Sequence, residues 1–190
     1  MSKNFPWLGY SLSLLVLTVG TEFVHEKWAI ALPFSIRSIA SQITQKTNIP
    51  VLLPSEDSIQ KYVQQNYDET VPVYVYIHSG SDRNYDVSFS KQPGNVGNVA
   101  LIFSIRAERG GTIEQKSPDP KAQFKKIRLA DASNAFVTVQ CGAGCWSIVR
   151  WKTNGVLYEV WTKSRQPNGA VALANSAVQA GDRRKGISKN

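Results

Sequence analysis

Residues 136–161 read FVTVQCGAGCWSIVRWKTNGVLYEVW and contain both cysteines, three of the five tryptophans and two turn signals. The first turn is the Gly-Ala-Gly loop between Cys141 and Cys145, which places the two cysteines opposite each other at a spacing that a disulfide bridges. The second turn is the Asn154–Gly155 pair, a strong signal for a two-residue hairpin. Two turns separated by one strand predict three consecutive antiparallel strands with a defined register.

This register sorts the side chains of the segment onto two faces of the sheet. Pairing Cys141 with Cys145 brings Phe136 opposite Arg150, and the second turn brings Arg150 opposite Glu159. One face is almost entirely apolar and is predicted to be core: Val137, Val139, the cystine, Val149, Trp151, Tyr158 and Val160. The other mixes rings with charges: Phe136, Thr138, Trp146, Ile148, Arg150, Lys152, Leu157, Glu159, Trp161 and Lys163.

The mixed face has two interpretations. In the structural one, a helix or loop covers its rings, because soluble proteins rarely expose large apolar patches. In the functional one, the rings form a platform for a glycan, lipid or peptide, and the basic side chains contact an anionic group. The candidate ligand-binding residues are Phe136, Trp146, Arg150, Lys152, Trp161 and Lys163.

The cysteines favour a structural disulfide over a metal or redox site. Closing the loop between Cys141 and Cys145 contributes about 2 kcal/mol in the chain-entropy model. Zinc needs two further ligands, and His78 is the only histidine outside the N-terminal leader. The C-x-x-x-C spacing also lacks the strand–helix context of a thioredoxin-like motif. The sequence therefore predicts a disulfide, with no metal and no cofactor.

Outside this segment the hydrophobic period changes twice along the chain. A stripe at Ile36, Ile39, Ala40 and Ile43 predicts an amphipathic helix that ends near Asn48. Ser55 is predicted to cap a second helix, which carries Ile59, Tyr62 and Val63. Alternation then predicts strands in VPVYVYIH, YDVSF, VALIFSIRAERGG and FKKIRLA, ahead of the three strands described above.

A helix of small residues closes the pattern near the C-terminus. It is predicted to place Val171, Ala174 and Val178 on one side and to stop at Gly181. Helices before and after a run of strands predict an α+β fold. We expect an antiparallel, mostly meander sheet of about six to eight strands, with the short N- and C-terminal helices packed on one side.

The chain's net charge and its apolar N-terminus bear on partners and location. The formal charge is +8, which favours anionic partners. An apolar run from Trp7 to Gly20 follows Lys3, an order typical of a signal peptide. The sequence predicts a signal peptide or membrane anchor at residues 1–31, one domain at 32–180 and a basic, disordered tail at 181–190.

Catalytic residues do not emerge from the sequence. His78 has no recognised nucleophile context, and it alternates with tyrosines as a sheet-surface residue does. The carboxylate pairs Asp82 with Asp86 and Glu56 with Asp57 fall in turns and helix starts, where such groups are usually solvated or capping. The question of an enzyme stays open, and a non-enzymatic role is favoured.

Several fragments are similar to those of a known group of proteins. They are TNIPVLLPS at 47–55, KIRLAD at 126–131, CGAGCWSIVRW at 141–151, GVLYEV at 155–160 and ALANSA at 172–177. Together they resemble small, uncharacterised exported proteins of cyanobacteria, which carry a domain of unknown function. The resemblance implies an α+β sheet domain outside the cytoplasm, and it implies no catalytic residue.

These observations lead to one leading hypothesis and two alternatives. The leading one is an exported domain, in the periplasm, cell envelope or medium, that binds an envelope component or small ligand through the aromatic and basic face. Its partner would be an anionic glycan, lipid or protein; nucleic acid is disfavoured by export, and only an uncleaved N-terminus would contact a membrane. The alternatives are a structural or protein-interaction module without a small-molecule ligand and, third, an unrecognised hydrolase.

Overall fold

The computed structural model describes residues 35–67, 71–94, 99–113 and 123–185. The leader predicted at 1–31 lies outside these residues, and so do the last five residues of the predicted tail. No helix in the described part is long and apolar enough to cross a membrane.

Two short helices precede the sheet and bury the stripes that the sequence predicts. Helix α1 spans Ile36–Thr44, and α2 spans Glu56–Asn66. The Ser55 hydroxyl accepts a hydrogen bond from the Ser58 N–H, which caps α2. The buried residues of α1 and α2 are Ile36, Ile39, Ala40, Ile43, Ile59, Tyr62 and Val63.

Seven described strands and a C-terminal helix follow. The strands are β1 Tyr74–Ser81, β2 Asn84–Ser90, β3 Leu101–Arg109, β4 Gln123–Arg128, β5 Asn134–Cys141, β6 Cys145–Thr153 and β7 Val156–Thr162, and α3 spans Asn168–Ala180. They form one antiparallel sheet in the order β1-β2-β3-β7-β6-β5-β4. The sheet therefore consists of two meanders, β1 to β3 and β4 to β7, joined where β3 pairs with β7. The predicted α+β fold class is confirmed.

The three helices pack on one face of the sheet, which we call the covered face. The core on this face consists of residues from all three helices and of the strand residues whose side chains share this face. These strand residues include Tyr85, Phe103, Trp151 and Tyr158. The Trp151 and Tyr158 rings stack with centroids 5.4 Å apart. Ile148, of the opposite parity, is buried but lies outside this core. Side chains of this second parity lie on the other face of the sheet. We call it the open face, because none of the described helices packs on it.

Three details of the sequence interpretation are wrong. Helix α1 ends at Thr44 and not near Asn48, because the chain turns through Gln45. Cys141 is exposed and Cys145 half-buried, since their hairpin lies at the end of the strands and outside the hydrophobic core. Helix α3 does stop at Gly181, as predicted, and Ala174 is buried, but Val171 and Val178 are only partly buried against the core. The buried residues of α3 are Ala170, Leu173, Ala174 and Ala177.

Tyrosine hydroxyls fasten the segment between α1 and α2 to the covered face. The Tyr85 hydroxyl donates to the Leu52 carbonyl at 3.2 Å and accepts from the Leu52 N–H at 3.0 Å. The Tyr158 hydroxyl donates to the Pro50 carbonyl at 3.0 Å. Burial raises the pKa of both hydroxyls well above the ordinary tyrosine value, so both stay protonated donors.

The same segment is also held by residues just after α3, at the start of the stretch assigned to the basic tail. Asp182 accepts the Val51 N–H at 3.0 Å, and Arg184 donates to the Asn48 carbonyl at 2.8 Å. Arg184 also pairs with Asp182 at 2.7 Å. Burial alone would raise the pKa of Asp182, but hydrogen bonds from Arg184 and Val51 outweigh it and lower that pKa.

Candidate ligand-binding face

The predicted register of β5, β6 and β7 is confirmed at every pair. Cys141 pairs with Cys145 and forms the disulfide, and Phe136 pairs with Arg150. At the second turn Asn154 has φ 51° and Gly155 φ 73°, the left-handed pair that a tight hairpin of this kind requires. Local turn chemistry therefore decides which side chains share the open face.

All six candidate residues have the parity of the open face, but they do not form one cluster. Arg150, Phe136 and Trp161 are half-buried near its centre. Lys152 is exposed towards the Asn154–Gly155 turn. Trp146, half-buried, and Lys163, exposed, lie at the disulfide end. The structure thus distributes the predicted site along the strands.

A row of alternating charges crosses the centre of the open face. Asp86 lies opposite Arg106, Arg106 opposite Glu159, and Glu159 opposite Arg150, on the four neighbouring strands β2, β3, β7 and β6. The Arg106 and Asp86 side chains pair at 2.9 Å, and Arg150 forms an ion pair with Glu159. Each guanidinium charge is therefore balanced within the protein.

Trp161 lies beside this row and is held by it. The guanidinium carbons of Arg106 and Arg150 lie 5.3 Å and 5.6 Å from the centroid of the indole ring. Each such cation–π contact contributes about 0.5–1 kcal/mol at an exposed site. The indole N–H donates to Glu159 at 3.2 Å. Trp161 is thus an oriented ring at a partly exposed position of the open face.

Two cavities lie at opposite ends of this face. The hairpin-end cavity, of about 510 Å³, lies beside the disulfide loop, and its side chains include Val99, Gln140, Trp146 and Lys163. The turn-end cavity, of about 400 Å³, is lined by Asn84, Tyr85, Asp86, Arg106, Ala107, Glu108, Leu157 and Glu159. The first combines one aromatic ring with a cation, whereas the second is dominated by polar side chains.

Sequence reasoning missed Asp86 and Arg106 as members of the site, and also Phe124. Phe124 lies opposite Thr138 on the edge strand β4 and is 37% exposed. No local signal identifies Asp86 and Arg106, because their position depends on the pairing of β3 with β7. Phe124 shares the parity of the open face through its pairing with Thr138, and the sequence analysis did not extend the register to β4.

The remaining titratable candidates lie away from the open face's centre. His78 is exposed on the edge strand β1, with its ring centroid 6.4 Å from that of Tyr76. Among the described residues, no group of three or more histidine, cysteine, aspartate or glutamate side chains could hold a metal ion. What the open face offers chemically is an oriented ring, hydrogen-bonding groups and lysine charges.

Comparison with known protein families, with curated proteins and with solved structures finds no match to this chain.

Proposed function

We propose that this chain is an exported, non-enzymatic domain that binds an anionic component of the cell envelope on the open face of its sheet. The observation that carries the proposal is Trp161, which two guanidinium groups and Glu159 hold in place on a face that no described helix covers. A fixed, partly exposed indole offers apolar contact area without the entropic cost of ordering it upon binding.

The charged residues divide into two roles in this proposal. Arg106 and Arg150 are balanced by Asp86 and Glu159, so they position Trp161 rather than bind the anion. Lys152 and Lys163 are exposed on the same face and would approach the anionic group. The overall charge of +8 would increase the rate of encounter with a polyanion.

Export and the non-enzymatic role rest on sequence patterns. The leader-like segment at 1–31 and the resemblance to exported proteins both support a site outside the cytoplasm. Phe136, opposite Arg150 at the end of the central row, and Trp146, at the disulfide end, would add apolar contacts.

Binding to two anionic probes tests the proposal: long-chain hyaluronan, and vesicles of phosphatidylglycerol in phosphatidylcholine. We expect saturable binding of the full-length chain to at least one probe. The double variant Lys152→Ala/Lys163→Ala should weaken it about tenfold, about 1.4 kcal/mol. Trp161→Ala should weaken it by a similar factor while the far-UV circular dichroism stays unchanged.

The matched control removes the same charge elsewhere. Lys61 is exposed on α2, and Lys125 is exposed with the parity of the covered face. The variant Lys61→Ala/Lys125→Ala should bind as the wild type does. Equal weakening by both double variants would mean that the basic surface binds non-specifically, and no binding to either probe would reject the proposal.

A further inference from the structure

The two cavities of the open face lie at opposite ends of one strand. Leu157 and Glu159 line the turn-end cavity, and Lys163 lines the hairpin-end cavity. Six residues of extended strand separate positions 157 and 163, which corresponds to about 20 Å. Trp161 lies between them. A single headgroup is too short to contact both cavities, whereas an extended chain could.

We propose that the ligand is a polysaccharide chain that lies along β7 and occupies both cavities, with carboxylate groups on some of its sugars and not on all. This inference rests on the proposed function, because it names the class of ligand for the same face. Its support comes from the different chemistry of the two ends.

The turn-end cavity suits hydroxyl groups. Asn84 lies opposite Glu108, and Asp86 lies opposite Arg106, so planar amide, carboxylate and guanidinium groups adjoin one another across β2 and β3. Such groups offer pairs of hydrogen-bond donors and acceptors that match neighbouring hydroxyls of a sugar. Three carboxylates line this cavity against one guanidinium, which disfavours a ligand with an anionic group at every unit.

The hairpin-end cavity suits a carboxylated sugar. The Trp146 indole offers an apolar surface for the C–H face of a sugar ring, and the Lys163 ammonium offers a cation for a carboxylate. Gln140 lies opposite Trp146 and adds amide groups that can bond hydroxyls. The two ends together fit a chain that carries both charged and uncharged sugars.

Hyaluronan oligosaccharides of increasing length test this inference, because they carry one carboxylate for each pair of sugars. Isothermal titration of the full-length chain with tetra-, hexa-, octa- and decasaccharides should show affinity rising about tenfold and then levelling off once both cavities are occupied. Chitin oligosaccharides of the same lengths, which lack the carboxylates, should bind more weakly at every length.

Variants at each end separate the two subsites. Asn84→Ala/Glu108→Ala should remove the gain in affinity with length and leave tetrasaccharide binding unchanged. Trp146→Ala should weaken the tetrasaccharide. Neither variant alters the ion pairs that hold Trp161.

The outcomes distinguish this inference from the proposed function. Binding of polyanions without length dependence, and unaffected by Asn84→Ala/Glu108→Ala, would overturn the inference and leave the proposed function standing. Tighter binding of poly-glutamate peptides or phosphatidylglycerol vesicles than of hyaluronan would overturn the polysaccharide class. Failure of every anionic probe to bind would reject both.

Discussion

Two tryptophans of neighbouring strands show how differently the two faces of this sheet are used. Trp151 on β6 is fully buried on the covered face and stacks on Tyr158. Trp161 on β7 is half-buried on the open face, between polar groups, with two guanidinium groups near its ring. The same residue type therefore stabilises the core in one case and forms a partly exposed platform in the other.

The difference follows from what packs against each face of the sheet. The covered face packs against the apolar stripes of three helices, so burial of large side chains there stabilises the fold. No described helix packs on the open face. The charged side chains at its centre form ion pairs between neighbouring strands. A change on the covered face should therefore affect folding, and a change on the open face should affect binding.

The largest expected effect is at Trp151. Trp151→Ala should lower the free energy of unfolding by about 3–5 kcal/mol, because it leaves a cavity under the helices. Trp161→Ala should lower it by only about 1 kcal/mol, the scale of its cation–π contacts. Urea denaturation followed by far-UV circular dichroism measures both. Similar losses in the two variants would contradict the division between the faces.

Trp151→Phe sharpens this comparison. It keeps a ring against Tyr158 and removes the Trp151 indole N–H, which has no hydrogen-bond partner in the described part of the chain. The free energy of unfolding should therefore fall by less than half as much as in Trp151→Ala. A loss as large as that of the alanine variant would show that stacking contributes little.

The next effect is at Gly169, in the first turn of α3. A Cβ atom there would lie 2.4 Å from Cε2 of Tyr62, which is buried against Phe103. Gly169→Ala should lower the free energy of unfolding by about 1–3 kcal/mol through overpacking. Gly142→Ala is the control, because no heavy atom lies within 4 Å of its Cβ position. Thermal unfolding of the two variants should differ clearly, and equal melting temperatures would refute this contact.

The smallest expected effect depends on pH and concerns Asp182. Because its pKa is lowered in the folded state, its contribution is present above the ordinary carboxyl pKa of about 3.9 and is lost as pH falls through the lowered value. Asp182→Asn should cost about 1 kcal/mol at neutral pH. The difference from the wild type should shrink as pH falls below about 3.9 and through the lowered pKa. A difference that stays the same from neutral to acidic pH would argue against this role.

The sequence predicted what depends on short-range geometry. The Gly-Ala-Gly loop and the Asn154–Gly155 turn defined the pairing of β5, β6 and β7, and the structure shows that pairing. The predicted apolar stripes of α1 and α2 are also confirmed, because the apolar residues there recur at three- and four-residue spacing among polar ones. The buried side of helix α3 was predicted only in part, because the helix is rich in alanine and its apolar positions do not define a single face.

What the sequence could not supply is long-range pairing. The neighbourhood of Arg106 and Trp161 exists only because β3 pairs with β7, and these strands are separated in the chain by β4, β5 and β6. Local propensities carry no information about which strand edges meet. Likewise, the sequence showed Arg150 opposite Glu159 but could not show that a second ion pair adjoins them. The centre of the candidate site was therefore visible only in part.

The most direct test of the central claim follows the five tryptophan indole N–H signals by nuclear magnetic resonance while the full-length chain is titrated with hyaluronan octasaccharide. Substitution of each tryptophan by phenylalanine assigns the signals. The signals of Trp161 and Trp146 should shift in a saturable manner, and that of Trp151 should not move. Saturable binding that leaves the Trp161 signal unchanged would contradict the assignment of the open face as the binding site.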